Sequence, residues 1–325
     1  MNTFGHNFRL SLFGESHGKA VGVVIDGTPA GIPLSEADFE TDLSRRRAGA
    51  LGTTSRTEAD IPELLSGVYR GHTTGAPIAI LFRNECAHSE DYEPLRDTPR
   101  PGHADWTAGV KFGGWNDPRG GGHFSGRLTV ALVAAGVVAK KVLGEGVKIE
   151  AQVCEIGGES DKALWPALLE RTKCEGDSVG GIVECRAEGV PAGLGEPFFD
   201  SLESTIAHLV FAIPGVRGVE FGDGFGAARM RGSEHNDAIV AGDGTTATNG
   251  AGGINGGISN GNPLCLRVAM KPTSSIARPQ MTLNTSTGEV EELTIAGRHD
   301  ICIALRAAVV VEAAVAVALA DAKMN

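Results

Sequence analysis

The chain has 325 residues, 42% hydrophobic and 21% charged, the composition of a soluble globular protein with enough apolar material for a sizeable core. A net charge of −11 argues against general nucleic-acid binding, which takes its affinity from neutralising phosphates. Six cysteines without a Cys-x-x-Cys pair, and no signal peptide, point to reduced thiols in a cytoplasmic protein with neither a disulfide framework nor a metal site. Glycine is the outlier at 46 residues, and with no repeating period it implies many tight loops.

From the N-terminus, the first chemically suggestive segment is Gly14-Glu15-Ser16-His17-Gly18. It matches Gly-x-Ser-x-Gly literally, but a nucleophile elbow needs a strand before the serine and a helix after it. Here the following residues, 21–26, read as a strand, so Ser16 and His17 belong on a turn between two strands. A helix is expected over 35–46, with Ser35 and Asp38 as its capping pair. Its end carries Arg45, Arg46 and Arg47, a run whose simplest reading is a solvated helix end. Further strands are expected over 78–82, 179–186 and 263–270, and a second amphipathic helix over 197–211. The glycine tract 249–261 reads as a ligand-facing loop leading into the last of these strands.

Residues 100–127 carry the most chemistry. Eight of these 28 residues are glycine, and no helical or strand period is visible before Arg127. Two histidines, three arginines and a serine share this expected loop, a set suited to donating a proton and binding an anion. An apolar helix over 127–143 follows directly, so its free N–H groups point into the loop. The most apolar stretch, 301–320, is interrupted by Arg306 and Glu312 and reads as a helix buried between layers, not a membrane span. The expected architecture is one α+β domain over 1–325, with buried helices between sheets.

Three motifs together change the specificity of this reading. Gly14-Glu15-Ser16-His17-Gly18, Arg100-Pro101-Gly102-His103-Ala104-Asp105 and Gly297-Arg298-His299-Asp300 resemble the three signatures of the chorismate synthase family. Asp42-Leu43-Ser44-Arg45-Arg46-Arg47 and Lys271-Pro272-Thr273-Ser274-Ser275-Ile276, among others, match the family in the same order, so the resemblance covers nearly the whole chain.

The resemblance implies a 1,4-anti elimination of phosphate and a ring proton from 5-enolpyruvylshikimate 3-phosphate, giving chorismate. It implies a need for reduced FMN without net redox change, a β-α-β sandwich with long buried helices between antiparallel sheets, and a homotetramer. By the same resemblance His17 assists the leaving phosphate, His103 protonates reduced flavin, and Asp300 helps at flavin N5, with Ser16 in support. Arg46, Arg100 and Arg127 are the implied substrate anchors. The implied FMN contacts are His123, Phe124, Ser125, Gly256, Lys271, Pro272, Thr273, Ser274, Ser275 and Arg298. Imidazoles suit the two proton transfers because they ordinarily titrate near neutral pH.

Two departures from the family pattern stand out. His123 and Phe124 occupy positions where many members carry an arginine and a serine near the flavin. After Arg47 the chain reads Ala48-Gly49-Ala50-Leu51-Gly52, without the further arginine common in the family. These departures weaken the case for NADPH as a built-in reductant, and a separate flavin reductase is the alternative source of reduced FMN. The competing readings are a non-catalytic flavin- or phosphate-binding homologue and a metal-assisted hydrolase.

Overall fold

Period-two alternation of apolar residues builds the first layer of the computed structural model, which describes residues 2–54, 58–85, 97–295 and 299–325. The chain starts with β1 (Thr3–Phe4), β2 (Arg9–Gly14) and β3 (Ala20–Asp26), then a short helix α1 (Glu40–Arg46). It continues with β4 (Glu63–Ser66), the small hairpin β5 (Val68–Tyr69) and β6 (His72–Thr73), and β7 (Ile78–Arg83). Five of these strands form an antiparallel sheet in the order β1-β2-β3-β7-β4. Val23 sits opposite both Leu12 and Ile80, which fixes the register. One face buries Val21, Val23, Ile25, Ile78, Ile80 and Phe82 completely, and a one-residue slip would turn all of them to the other face.

A second antiparallel sheet has the order β10-β13-β9-β8. Two helices, α2 (Asp105–Phe112) and α3 (Thr129–Leu143), precede its first strand, β8 (Lys148–Ile156). Helix α4 (Trp165–Cys174) leads to β9 (Gly181–Glu188), and α5 (Leu202–Phe211) leads to β10 (Val216–Phe221). The short α6 (Gly232–His235) and the hairpin β11 (Ile254–Asn255) and β12 (Ile258–Ser259) precede β13 (Leu264–Met270). A separate hairpin, β14 (Gln280–Leu283) and β15 (Val290–Leu293), comes before the C-terminal helix α7 (Ala304–Lys323).

The two sheets enclose α3 and α7, which pack against one another. Helix α3 covers the first sheet and α7 covers β8 and β9 of the second. Both helices are apolar nearly all round because each is sandwiched on opposite sides. Their close approach needs small residues: a Cβ on Gly136 would lie 2.4 Å from that of Ala313. The expected buried helices between antiparallel sheets are thus present. No helix among the described residues is long and apolar enough to cross a membrane.

Three local expectations change. Residues 100–127 are not one loop, since α2 occupies 105–112 and 3-10 turns occupy 119–124 and 126–128. Helix α2 escaped the periodicity because Ala108 is its one buried residue, so no apolar stripe marks it. The helix expected over 35–46 starts as a 3-10 turn, where Ser35 N–H donates to Asp38 Oδ2 at 2.7 Å. The helix expected over 197–211 begins at Leu202, where the Ser201 hydroxyl accepts from Ser204 N–H at 3.1 Å.

Candidate active site

A cavity of about 960 Å³ opens where the start of α3, the approach to α7, the 100–127 segment and residues 271–275 converge. Among the described residues, seven arginine and lysine side chains line it, against three acidic ones, Glu58, Asp60 and Asp300. A chain of net charge −11 has therefore concentrated positive charge in one concave site. The 3-10 turn 126–128 and the start of α3 end at this wall, so the N-terminal helix charge adds to it.

The three arginines assigned to substrate all reach the cavity, but none is a loose surface cation. Arg46, Arg100 and Arg127 are only 3%, 6% and 7% exposed. Arg100 Nε donates to Asp105 Oδ2 at 2.7 Å and Nη2 to Oδ1 at 2.8 Å, while Nη1 donates to the Ser275 hydroxyl at 3.0 Å. Asp60 receives both other guanidiniums: Arg46 Nη1 at 2.8 Å on one oxygen, and Arg127 Nη1 on the other. Arg46 also donates from Nε to Thr129 Oγ1 at 3.0 Å and from Nη2 to the carbonyls of Gly126 and Arg127. Burial pushes Arg46 down to about 9, with Asp60 opposing and Arg306 and Arg127 adding to the shift, so it stays charged at neutral pH.

The run Arg45-Arg46-Arg47 is not a solvated helix end. Because residues on a helix diverge by about 100° per step, the three point in different directions. Arg45 reaches Glu312 on α7 at 2.8 Å, Arg46 enters the cavity, and Arg47 pairs with Glu40 at 2.7 Å.

Ser16 and His17 sit on the turn between β2 and β3, as their sequence context suggested. Ser16 N–H donates to Gly122 O at 3.0 Å, and His123 Nδ1 lies 2.7 Å from Gly14 O, so two bonds stitch the glycine segment to this turn. His123 Nε2 lies 3.1 Å from Asn2 Oδ1, so both ring nitrogens have protein neighbours. Ser16 lines the cavity, whereas His17 lies directly behind Gly120, which does line it. A Cβ on Gly120 would fall 2.5 Å from the His17 ring, and φ is +58° there, so no other residue fits without moving the imidazole. Gly120→Ala is expected to lower kcat by about 10²-fold through displacement of His17. Steady-state kinetics with a flavin-binding titration checks this, since flavin affinity should change little.

His103 lines the cavity and lies against Gly121, the next glycine. Its Nδ1 lies 2.5 Å from Asp105 Oδ1, and a Cβ on Gly121 would lie 3.3 Å from its Nε2. Burial opposes the charge on Asp105, but hydrogen bonds from Arg100 and His103 outweigh it and hold the carboxyl well below its usual range. An ionised carboxylate on Nδ1 fixes the ring orientation and leaves Nε2 as the atom free to exchange a proton with a ligand. Asp300 lines the cavity before α7, accepts Thr54 N–H at 2.9 Å and pairs with Arg306 at 3.0 Å.

The segment 271–275 forms another stretch of wall. Lys271 Nζ donates to Gly102 O at 2.6 Å and meets Ser274 Oγ at 2.5 Å, which ties this segment to the Arg100–Asp105 loop. Thr273 Oγ1 is buried without a hydrogen-bond partner among the described residues, and it faces a lysine-bearing wall. A buried hydroxyl in that position suits a phosphate or a polar ring edge. The cavity lies at the large end of the roughly 300–1,000 Å³ range of ligand sites, so a flavin nucleotide and a small acid fit the residues present. Phe124 and Ser125 also line it. Gly256 does not; it sits in the β11–β12 turn, and the tract expected to face ligand packs instead on residues 194–202. Arg298 lies outside the described residues.

Several site residues carried no sequence signal. Asp60, Asn84, Arg217 and Arg306 belong to no motif, and each is brought in by tertiary packing alone. Asp105 was visible in a motif but gave no hint of its double partnership.

Comparison with known proteins decides the family. Residues 8–324 match the family described as chorismate synthase. The chain belongs to the chorismate synthase family. It is 62% identical over 323 residues to a chorismate synthase of Chitinophaga pinensis, covering 99% of this chain and 96% of that protein. A chorismate synthase of Korarchaeum cryptofilum is 49% identical over 346 residues, with coverage of 98% and 96%. A solved crystal structure of a chorismate synthase superposes with a TM-score of 0.76 at 30% identity, covering 98% of this chain and 92% of that one. As a chorismate synthase family member the chain is a carbon–oxygen lyase of the shikimate pathway, in a family that generally depends on reduced FMN.

Proposed function

We propose that this chain eliminates phosphate and the carbon-6 proton from 5-enolpyruvylshikimate 3-phosphate through the residues around the cationic cavity. The observation that carries the reading is the excess of seven cationic over three acidic side chains among the described residues of one cavity, with His17 against Gly120 and His103 against Gly121. The substrate is a phosphate ester with two carboxylates, and such an anion needs this density of guanidinium groups.

Arg46, Arg100 and Arg127 hold the anionic groups, and their own carboxylate partners offset the repulsion between them. His17 donates a proton toward the departing phosphate, with Ser16 supporting it. His103, oriented by Asp105, holds a proton at Nε2 for the flavin side of the site. Asp300, fixed by Thr54 N–H and Arg306, presents a carboxylate near the same place. Lys271, Pro272, Thr273, Ser274, Ser275 and Arg298 would hold FMN, together with Phe124, Ser125 and His123. Reduced FMN, when bound, supplies the electron-rich ring that the elimination requires. A separate reductase would keep it reduced, and assembly as a homotetramer in the cytoplasm accords with the family.

Purified protein with reduced FMN under anaerobic conditions is expected to release phosphate and form chorismate from 5-enolpyruvylshikimate 3-phosphate. Tight substrate binding without turnover would favour a binding module, and flavin-independent, chelator-sensitive phosphate release would favour a hydrolase. Aerobic turnover with NADPH and FMN alone is expected to be absent.

A further inference from the structure

We propose that Asp60 is a positioning residue that holds Arg46 and Arg127 side by side as one anion-binding unit. The proposal rests on the reading of the cavity as the elimination site. Its first support is geometric. The Asp60 side chain is 1% exposed, and each carboxylate oxygen takes one guanidinium, Arg46 Nη1 at 2.8 Å and Arg127 Nη1. These arginines come from distant elements, the end of α1 and the turn before α3. Asp60 itself comes from a third, the approach to the edge strand β4.

The remaining bonds divide each guanidinium between protein and cavity. Arg127 gives Nε to Asn84 Oδ1 at 2.9 Å and Nη2 to Arg83 O at 3.1 Å. Arg46 gives Nε to Thr129 and Nη2 to two carbonyls. A guanidinium carries five N–H donors, so both still have donors for a ligand, and both line the cavity. Without a carboxylate between them, two buried like charges would repel and separate. With it, the pair keeps one excess positive charge and a fixed spacing.

An independent observation is the backbone. Asp60 has φ +51°, a left-handed conformation that is uncommon outside glycine, although aspartate and asparagine adopt it more readily than other residues. Glycine would relieve that strain, yet only a carboxylate serves both arginines. Strain of this kind persists where the surroundings over-determine it, and two charge-assisted bonds supply that determination.

The positioning role separates kcat from KM. Removing the carboxylate leaves the site more positive, so substrate should bind no more weakly, while the two guanidiniums lose their alignment. The test compares Asp60→Asn, which keeps shape and loses charge, with Asp60→Glu, which keeps charge and shifts its place. Both are assayed with 5-enolpyruvylshikimate 3-phosphate and reduced FMN, beside thermal melting. The expected result is a kcat lower by about 10²-fold in each, the cost of a misplaced binding group, with KM unchanged or lower. The thermal melts show which of the two variants keeps the fold, and kcat and KM are read on that one. Unchanged kcat in Asp60→Glu would reduce Asp60 to a counter-charge and overturn the proposal, as would a raised KM with unchanged kcat. If the parent protein shows no turnover, the functional reading fails instead. A crystal structure of whichever variant folds then decides the proposal alone: separated guanidiniums support it, and unmoved ones refute it.

Discussion

Replacing His17 by alanine is expected to lower turnover by about 10²- to 10⁴-fold, the usual worth of a positioned general acid. The expectation comes from its place on the β2–β3 turn against Gly120, which lines the cavity, and from the proposed binding of a phosphate ester there. A leaving phosphate departs more readily with a proton, a task that suits an imidazole. Fold stability should change far less, because the turn is held by backbone bonds such as Ser16 N–H to Gly122 O and by His123 on Gly14. Phosphate release is read alongside a thermal melt. Full activity in the variant would remove His17 from the mechanism and leave His103 as the proton donor to test next.

The second large effect is on stability. Glu312 lies in the middle of α7, with its side chain 3% exposed, and it accepts from Arg45 at 2.8 Å, Lys140 at 2.5 Å and Ala151 N–H at 2.9 Å. It thereby joins α1, α3, α7 and β8 at one point. Breaking one side of a buried pair costs about 3–5 kcal/mol, and the cost here sits at the lower end because Arg45 and Lys140 are part exposed and keep Asp42 as a partner. Glu312→Gln should therefore lower the denaturation midpoint strongly, whereas replacing the exposed Glu63 partner of Arg83 should hardly move it. The sign of the pH effect follows. Burial opposes the charge on Glu312, but Arg45 and Lys140 outweigh it and hold the carboxyl below its ordinary 4.5. Its stabilisation is present above that value and is lost as pH falls through the lowered one. Denaturant titrations from neutral to acid pH should show this loss in the parent protein and not in Glu312→Gln. An identical acid profile would mean that other carboxylates govern the transition.

These two residues show how differently fold and site were written in the sequence. The layered fold was legible because it follows from composition over long stretches. The alanine- and valine-rich runs that became α3 and α7 lack a polar face, and a helix without a polar face has to sit between layers. The strands were legible by their alternation, to within a few residues. Helix α2 was hidden because its exposed Trp106, Val110 and Phe112 give no buried stripe. Within the site, residues in contiguous motifs could be named in advance. The same motifs could not say that Arg45, Arg46 and Arg47 part company, or that Gly120 and Gly121 each face one histidine.

The sequence by itself determined the family, the layered architecture and the types of group the chemistry needs, because these depend on local pattern and on ordered motifs. Only the tertiary structure decided which charges meet. Asp60, Glu312 and Arg306 acquire partners on other elements, and a carboxylate that binds two arginines from different helical segments leaves no mark at any fixed spacing. Electrostatic pairing acts through space over a few ångströms, and along the chain those ångströms span 14 residues between Arg46 and Asp60 and 67 between Asp60 and Arg127.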